Sequence, residues 1–321
     1  MIDESAFLRT IREHPDDDGP RLVFADWLEE RGETLRAEFL RVQCEFARMK
    51  PRDVRRSALV QRSRQILKIH RDEVIGRQAL PPRVVGSGTL ETRAIDPDRN
   101  LDVRGTQIEV SRGFICAMEA ELNAFLLTGP ALLRRAVLGY LGVFGEYRRY
   151  SPLPSGFRLV TLLASELPAL RPHALTLASC YLSLSALKSL CRNQGMTRVE
   201  RLALIDCNIN DAAAAAMARS PRLANVAELS VHSNPLGDVG LRALSESRHL
   251  KALTVLRIND NWNYEGYSLA GLIELAESSR LPRLAKIHVD RRITESQVDF
   301  FHRRHGARIQ LEREEGNDIP F

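Results

Sequence analysis

The chain repeats itself every 27 residues, and few folds accommodate such a period. Leu175, Leu202, Leu229 and Leu256 open four segments that read LTLASCYL, LALIDCNI, LSVHSNPL and LRINDNWN. The third position is Leu177, Leu204, Val231 and Ile258, and the sixth is Cys180, Cys207, Asn234 and Asn261. The eighth is Leu182, Ile209 and Leu236, and the pattern breaks at Asn263. Further along, apolar residues coincide at Leu190, Met217 and Leu244, at Met196, Leu223 and Leu250, and at Val199, Val226 and Leu253. The fourth repeat is four residues longer. Allowing for that insertion, Leu275, Leu281 and Leu284 take the same three places, and a fifth repeat opens at Ile287 with Val289.

Each repeat reads as a short strand, a tight turn and a helix. In an L-x-L strand both leucines point to one side, into a core. Asn at the sixth position can hydrogen-bond the backbone of the turn, and a small Cys can fill the same slot as a weak donor. Helices are expected over 211–219, 238–247 and 269–277, with Asp211 and Asp238 helping to cap their own helices. Pro221 and Pro282 stand where helices should stop. Earlier strands are expected at 158–163, where apolar residues alternate, and at 114–118.

These segments resemble the leucine-rich repeat family, in its longer ribonuclease-inhibitor-like class, over residues 170–290. The resemblance implies an α/β right-handed solenoid, with a parallel sheet on the concave face and helices on the convex one. Terminal repeats of such an array need covering. At the C-terminal end 296–305 reads as a last helix, 308–311 as a closing edge strand and 312–318 as a frayed acidic tail.

The N-terminal 80 residues read as a small all-helical domain. Leu35, Phe39, Val42, Phe46 and Met49 recur at helical spacing, and Gly32 separates that helix from one over 22–31 that Pro20 opens. Phe7, Leu8 and Ile11 mark a first helix, and 53–75 a fourth. The run RLVFADWLEERGE from Arg21, followed by RAEFLRVQ from Arg36, resembles a bacterial repeat-companion domain, a short domain found beside repeat arrays. That resemblance implies an architecture and no activity. The expected organisation is thus 1–80 helical, 81–170 connecting with divergent or capping elements, 171–311 repeats and cap, and 312–321 tail.

Charge is unevenly placed. Residues 1–49 carry seven Arg against twelve acids, and 50–93 carry eleven Lys and Arg against four acids. Opposite signs in neighbouring segments suit packing of one on the other. A nucleic-acid-associated regulator using the basic helix 53–76 is the second reading, although Arg52 to Arg71 contain no aromatic for base stacking. No stretch approaches the roughly 20 apolar residues of a membrane helix. The acidic start lacks a secretory signal pattern, and five cysteines without a CxxC pair suit free thiols in the cytoplasm.

Candidates for chemistry are few. The chain has no Walker-type phosphate loop, no HExxH, no GxSxG and no GxGxxG. His302 and His305 are spaced as metal ligands on one helix, but no further ligands accompany them, and a structural zinc wants four. Cys180 and Cys207 should stack as buried neighbours, and Asp26-Trp27 reads as packing with a local hydrogen bond or ion pair. No catalytic residue, cofactor or metal is expected. An enzyme with an unrecognised site in 80–170 is the third reading.

The residues between the strand leucines should face a partner. They run from Thr176, Ala178, Ala203 and Ile205 to the polar Ser230, His232, Arg257, Asn259, His288 and Asp290. Asp260 and the insertion with Trp262, Tyr264 and Tyr267 adjoin that polar end, a composition suited to an interface. The expected function is therefore a non-enzymatic protein-protein interaction module with an unidentified protein partner.

Overall fold

The computed structural model describes residues 3–50, 52–75, 100–102, 106–134, 136–145, 155–258, 266–289 and 293–313. Their fold is mixed α/β, with a mostly parallel sheet that does not close into a barrel. Two compact units divide at Tyr140/Leu141, inside the stretch read as connecting.

The first unit begins with four helices: Glu4–Glu13 (α1), Gly19–Glu30 (α2), Thr34–Arg48 (α3) and Arg56–Ile75 (α4). Asp3 caps α1 by accepting from the Ala6 N–H, and Pro20 sits in the first turn of α2. The α4 helix departs from helical geometry at His70. Three antiparallel strands follow, Asn100–Asp102 (β1), Thr106–Ser111 (β2) and Phe114–Glu121 (β3), then helix Leu122–Leu133 (α5). The β2–β3 turn is Arg112-Gly113, both at positive φ (50° and 82°), the two-residue hairpin geometry that matches strand twist.

One core joins these pieces: Leu8 and Ile11 of α1, Phe24, Ala25 and Leu28 of α2, Ala37 and Leu40 of α3, Phe114 of β3, and Val137. The Phe114 ring stacks on Phe24 at 6.1 Å, so the hairpin closes the core that the helices begin. Trp27 lies 5.7 Å from Phe24 and under the Arg31 guanidinium, while Asp26 pairs with Arg41 at 2.7 Å. The oppositely charged segments do meet: Arg62 of α4 holds Glu38 of α3 at 2.6 Å, and Arg55 lies 3.5 Å from Glu45.

The second unit contains all but the first residue of strand Tyr140–Phe144 (β4), then Ala174–Ala178 (β5), Arg201–Ile205 (β6), Glu228–Ser230 (β7), Val255–Arg257 (β8), Lys286–Val289 (β9) and Gln310–Arg313 (β10). They lie side by side in chain order, and β5 to β10 pair in parallel. Leu175, Leu202, Leu229, Leu256, Ile287 and Leu311 form one continuous row of register partners. All six are at most 2% exposed, and burying each contributes about 1.5–3 kcal/mol. Between strands run helices Ser155–Leu170 (α6), Leu184–Arg192 (α7), Asp211–Ala218 (α8), Asp238–Ser245 (α9), Leu269–Glu277 (α10) and Glu295–His305 (α11).

Three expectations need correction here. Residues 158–163 are not a strand; they lie inside α6, because Leu159, Val160, Leu163, Leu167 and Leu170 form a buried helical stripe. The strand before β5 is β4, whose Leu141 and Val143 are fully buried. Asp211 and Asp238 do not cap their own helices. Asn210 caps α8 through Ala213, and Asp211 Oδ1 instead accepts from Gly237 and Gly240 of the next repeat, at 2.8 and 3.0 Å. Asp238 likewise accepts from the Ser268 N–H and hydroxyl. Finally, Glu312 is not tail: it belongs to β10, and residues 314–318 of the tail lie outside the described residues.

Two polar ladders tie the repeats together. At the strand exit, Asn234 Nδ2 donates to the carbonyls of Leu204, Val231 and His232, and its Oδ1 accepts from Cys207 and Ile209 of the preceding repeat. Cys207 fills the equivalent slot with its thiol donating toward Leu177 and Ile205 carbonyls. At the helix exit, Ser220, Ser247 and Ser278 each donate to a carbonyl at the end of the preceding repeat's helix (Cys191, Ala218 and Ser245), and Asn193 donates to the Leu163 carbonyl within α6. Each also accepts an N–H two residues on, starting the descending turn.

Candidate functional site: the polar row of the sheet face

The strand register determines which polar side chains meet. Opposite the leucine row, the same pairings align Thr176, Ala203, Ser230, Arg257, His288 and Glu312 across β5 to β10. Neighbours in such a row stand about 4.8 Å apart. The row is small and uncharged at its β5 end and charged at its β10 end.

Arg257 is the hub. His232, two residues beyond Ser230, receives or gives a hydrogen bond at 2.9 Å through Nδ1 to the Ser230 hydroxyl. Burial, then the nearby Arg257 cation, holds His232 down to about 4. His288 on the other side of Arg257 is also held down to about 4, by burial first and Arg257 second, with Glu312 opposing. Both imidazoles are thus neutral at pH 7. Glu312 lies 2.8 Å from Lys286 Nζ and 3.5 Å from His288 Nδ1. Its carboxyl sits below the ordinary value, mainly through the Lys286 hydrogen bond.

Exposure divides the ten sequence-derived residues. Ser230, His232 and His288 are buried, walled by the strands on either side, Tyr267 is buried just before α10, and Arg257 is half-buried. Asn259, Asp260, Trp262, Tyr264 and Asp290 lie outside the described residues. A hydroxyl hydrogen-bonded to an imidazole is the layout of an activated nucleophile. Ser230 is 0% exposed, however, and an imidazole near 4 is a weak base at neutral pH.

Sequence reasoning overlooked Glu312, Lys286, Arg201 and Glu228. Lys286 and Glu228 are half-buried and Arg201 is exposed, in the row one step toward the strand starts (Ala174, Arg201, Glu228, Val255, Lys286, Gln310). For Arg201, Glu228 and Lys286 the signal was available: each immediately precedes a strand leucine or isoleucine, so period two places it on the same face as Ser230 and Arg257.

Elsewhere, His302 Nε2 accepts the Leu311 N–H at 3.0 Å, and the His305 ring packs 4.4 Å from Phe301. Among the described residues no three His, Cys, Asp or Glu side chains converge as a metal group. Cys44, Cys180, Cys191 and Cys207 are buried free thiols, and burial pushes Cys44 and Cys191 up to about 12. Among the described residues no helix is long and apolar enough to cross a membrane. No family model and no curated protein matches this chain.

Proposed function

We propose that the chain is a non-enzymatic interaction protein. In this reading the second unit is a short leucine-rich-repeat solenoid of the ribonuclease-inhibitor-like kind, the helices before it are its repeat-companion domain, and a cytoplasmic protein partner docks on the sheet face. The observation that carries the reading is the in-register polar row, graded from Thr176 to Glu312, with Arg257 at its centre. Solenoids bind through many shallow contacts over an open face, so such a surface requires no nucleophile.

The accessible charges, Arg257, Lys286 and Glu312, would supply rim contacts that set orientation and rate of association. An acidic patch on the partner would complement Arg257 and Lys286. The test is capture from a native lysate with wild type and with the double variant Arg257→Ala, Lys286→Ala. The wild type should retain a saturable partner, and the double variant should lose it with its melting curve in place. Undiminished capture by the double variant, or its unfolding, rejects this role for the row.

A further inference from the structure

On the helix side of the second unit lies a second surface of different chemistry. A groove of about 490 Å³ runs between the C-terminal ends of α7 and α8, lined by Lys188, Arg192, Arg219 and Arg222 with Cys191, Ala216, Ser220 and Pro221. A second groove, of about 240 Å³, continues it between α8 and α9, sharing Arg219 and adding Arg248. Five cations thus line two joined grooves against one carboxylate, Glu246. All five are exposed, and among the described residues none is held in an ion pair.

Helix ends account for only part of this. A cation at a helix C-terminus complements the helix dipole, and Arg192 stands in the last turn of α7 and Arg219 at the C-cap of α8. Arg222 and Arg248 lie beyond their helices, in the descending turns, where the dipole gains little from them. The period of the chain brings them together: Arg192 and Arg219 are 27 residues apart, so successive repeats present them side by side.

We propose that these grooves bind the phosphate backbone of duplex nucleic acid without reading its sequence. The chemistry favours phosphates over an acidic protein for two reasons. Four of the five cations are arginines, whose planar forks match phosphate oxygens. The lining offers only Ala216, Ala243, Pro221 and similar small groups, with no large apolar anchor such as protein interfaces use at their core. Its only ring is the His249 imidazole, in the second groove, so successive unpaired bases would find no row of Phe, Tyr or Trp to stack on, and a duplex backbone suits it better.

The full chain is titrated into a fluorescently labelled mixed-sequence DNA duplex. If all five cations engage, affinity falls about 500-fold between about 50 and 200 mM salt. The variant Arg192→Gln, Arg219→Gln, Arg222→Gln should reduce the slope of log affinity against log salt by about 2.7 and weaken low-salt binding at least about tenfold. The matching triple Arg→Lys variant should restore most of both. Arg52→Gln with Lys68→Gln, on and before α4, should leave binding unchanged. The proposal is overturned if wild type shows no saturable binding at low salt, if the triple Gln variant keeps the wild-type slope, if the α4 variant abolishes binding, or if polyglutamate of equal charge displaces the duplex.

Discussion

Asn234 is the single side chain on which the stacking of neighbouring repeats depends most. It is 0% exposed, and among the described residues its side chain donates to three carbonyls and accepts from the N–H groups of Cys207 and Ile209. In Asn234→Ala both buried N–H groups lose their acceptor. Each orphaned donor costs about 1–3 kcal/mol, and the loss of donors to the three carbonyls adds to this, so the variant should be destabilised by about 3–6 kcal/mol. Asn225 supplies a control: its amide donates to the Thr197 carbonyl at 2.7 Å from an exposed position, and Asn225→Ala should cost less than about 1 kcal/mol.

A Cys replacement separates chemistry from volume, since Cys207 fills the same slot one repeat earlier. There the turn N–H of Leu182 donates to the Cys207 carbonyl at 2.9 Å, so no side-chain acceptor is needed. The corresponding Ile209 N–H goes to the Asn234 side chain, so Asn234→Cys should recover the packing but not the acceptor. Urea unfolding followed by circular dichroism measures all three. A loss below about 1 kcal/mol for Asn234→Ala, or full recovery with Cys, would refute the account of the inter-repeat bonds.

Two further perturbations follow from the same physics. His232 is held at about 4 in the fold against 6.5 ordinarily, so between those values the unfolded chain binds more protons and stability must fall as pH drops from 6.5 to 4. The contribution of His232 is on the order of 3 kcal/mol, with His288 acting in the same direction; urea midpoints at several pH values should show the decline, and His232→Gln should flatten it. Gly113→Ala would place a Cβ 2.3 Å from Leu40 Cδ2 at a φ of +82°, and thermal unfolding should report a loss of about 3 kcal/mol in the first unit. A neutral Gly113→Ala would mean that the hairpin turn is not held against α3.

The legible parts of this fold share one property: their determinants are local in sequence. The leucine register could be read because every repeat carries the same L-x-L alternation, and a period of 27 leaves one way to align Leu175 with Leu202 and Leu229. The role of Asn234 at the turn was legible for the same reason. Residues 158–163 misled because a six-residue window with apolar groups at 159, 160, 162 and 163 satisfies strand and helix templates alike, and only Leu167 and Leu170 beyond it decide for a helix. The reach of Asp211 to Gly237 and Gly240 had no local signature, since its partners belong to the next repeat. Glu312 joined the polar row through a parallel pairing with β9 that no pattern within 312–318 announces. The identities of the row residues could be read from period two, but not their burial, which depends on the strands that flank them.

The division of labour between side chains explains how a face of this kind could be free to specialise. The groups that hold repeats together, Asn234 at the strand exit, Ser220, Ser247 and Ser278 at the helix exit and Asp211 and Asp238 between helices, all bond to the backbone of a neighbouring repeat. Their partners are N–H and C=O groups present whatever the neighbour's side chains are. Arg257, Lys286 and Glu312 interact instead with side chains across the row, in partly exposed positions where an ion pair contributes about 1 kcal/mol or less. Exchanging them therefore alters the charge shown to a partner while leaving both ladders intact. Ser230, His232 and His288 are the exceptions, because all three are buried and the first two share a hydrogen bond, and changes there should cost stability as well as recognition. A substitution series along the row should accordingly separate the partly exposed Arg257, Lys286 and Glu312, which tune binding, from the buried Ser230, His232 and His288, which tune the fold.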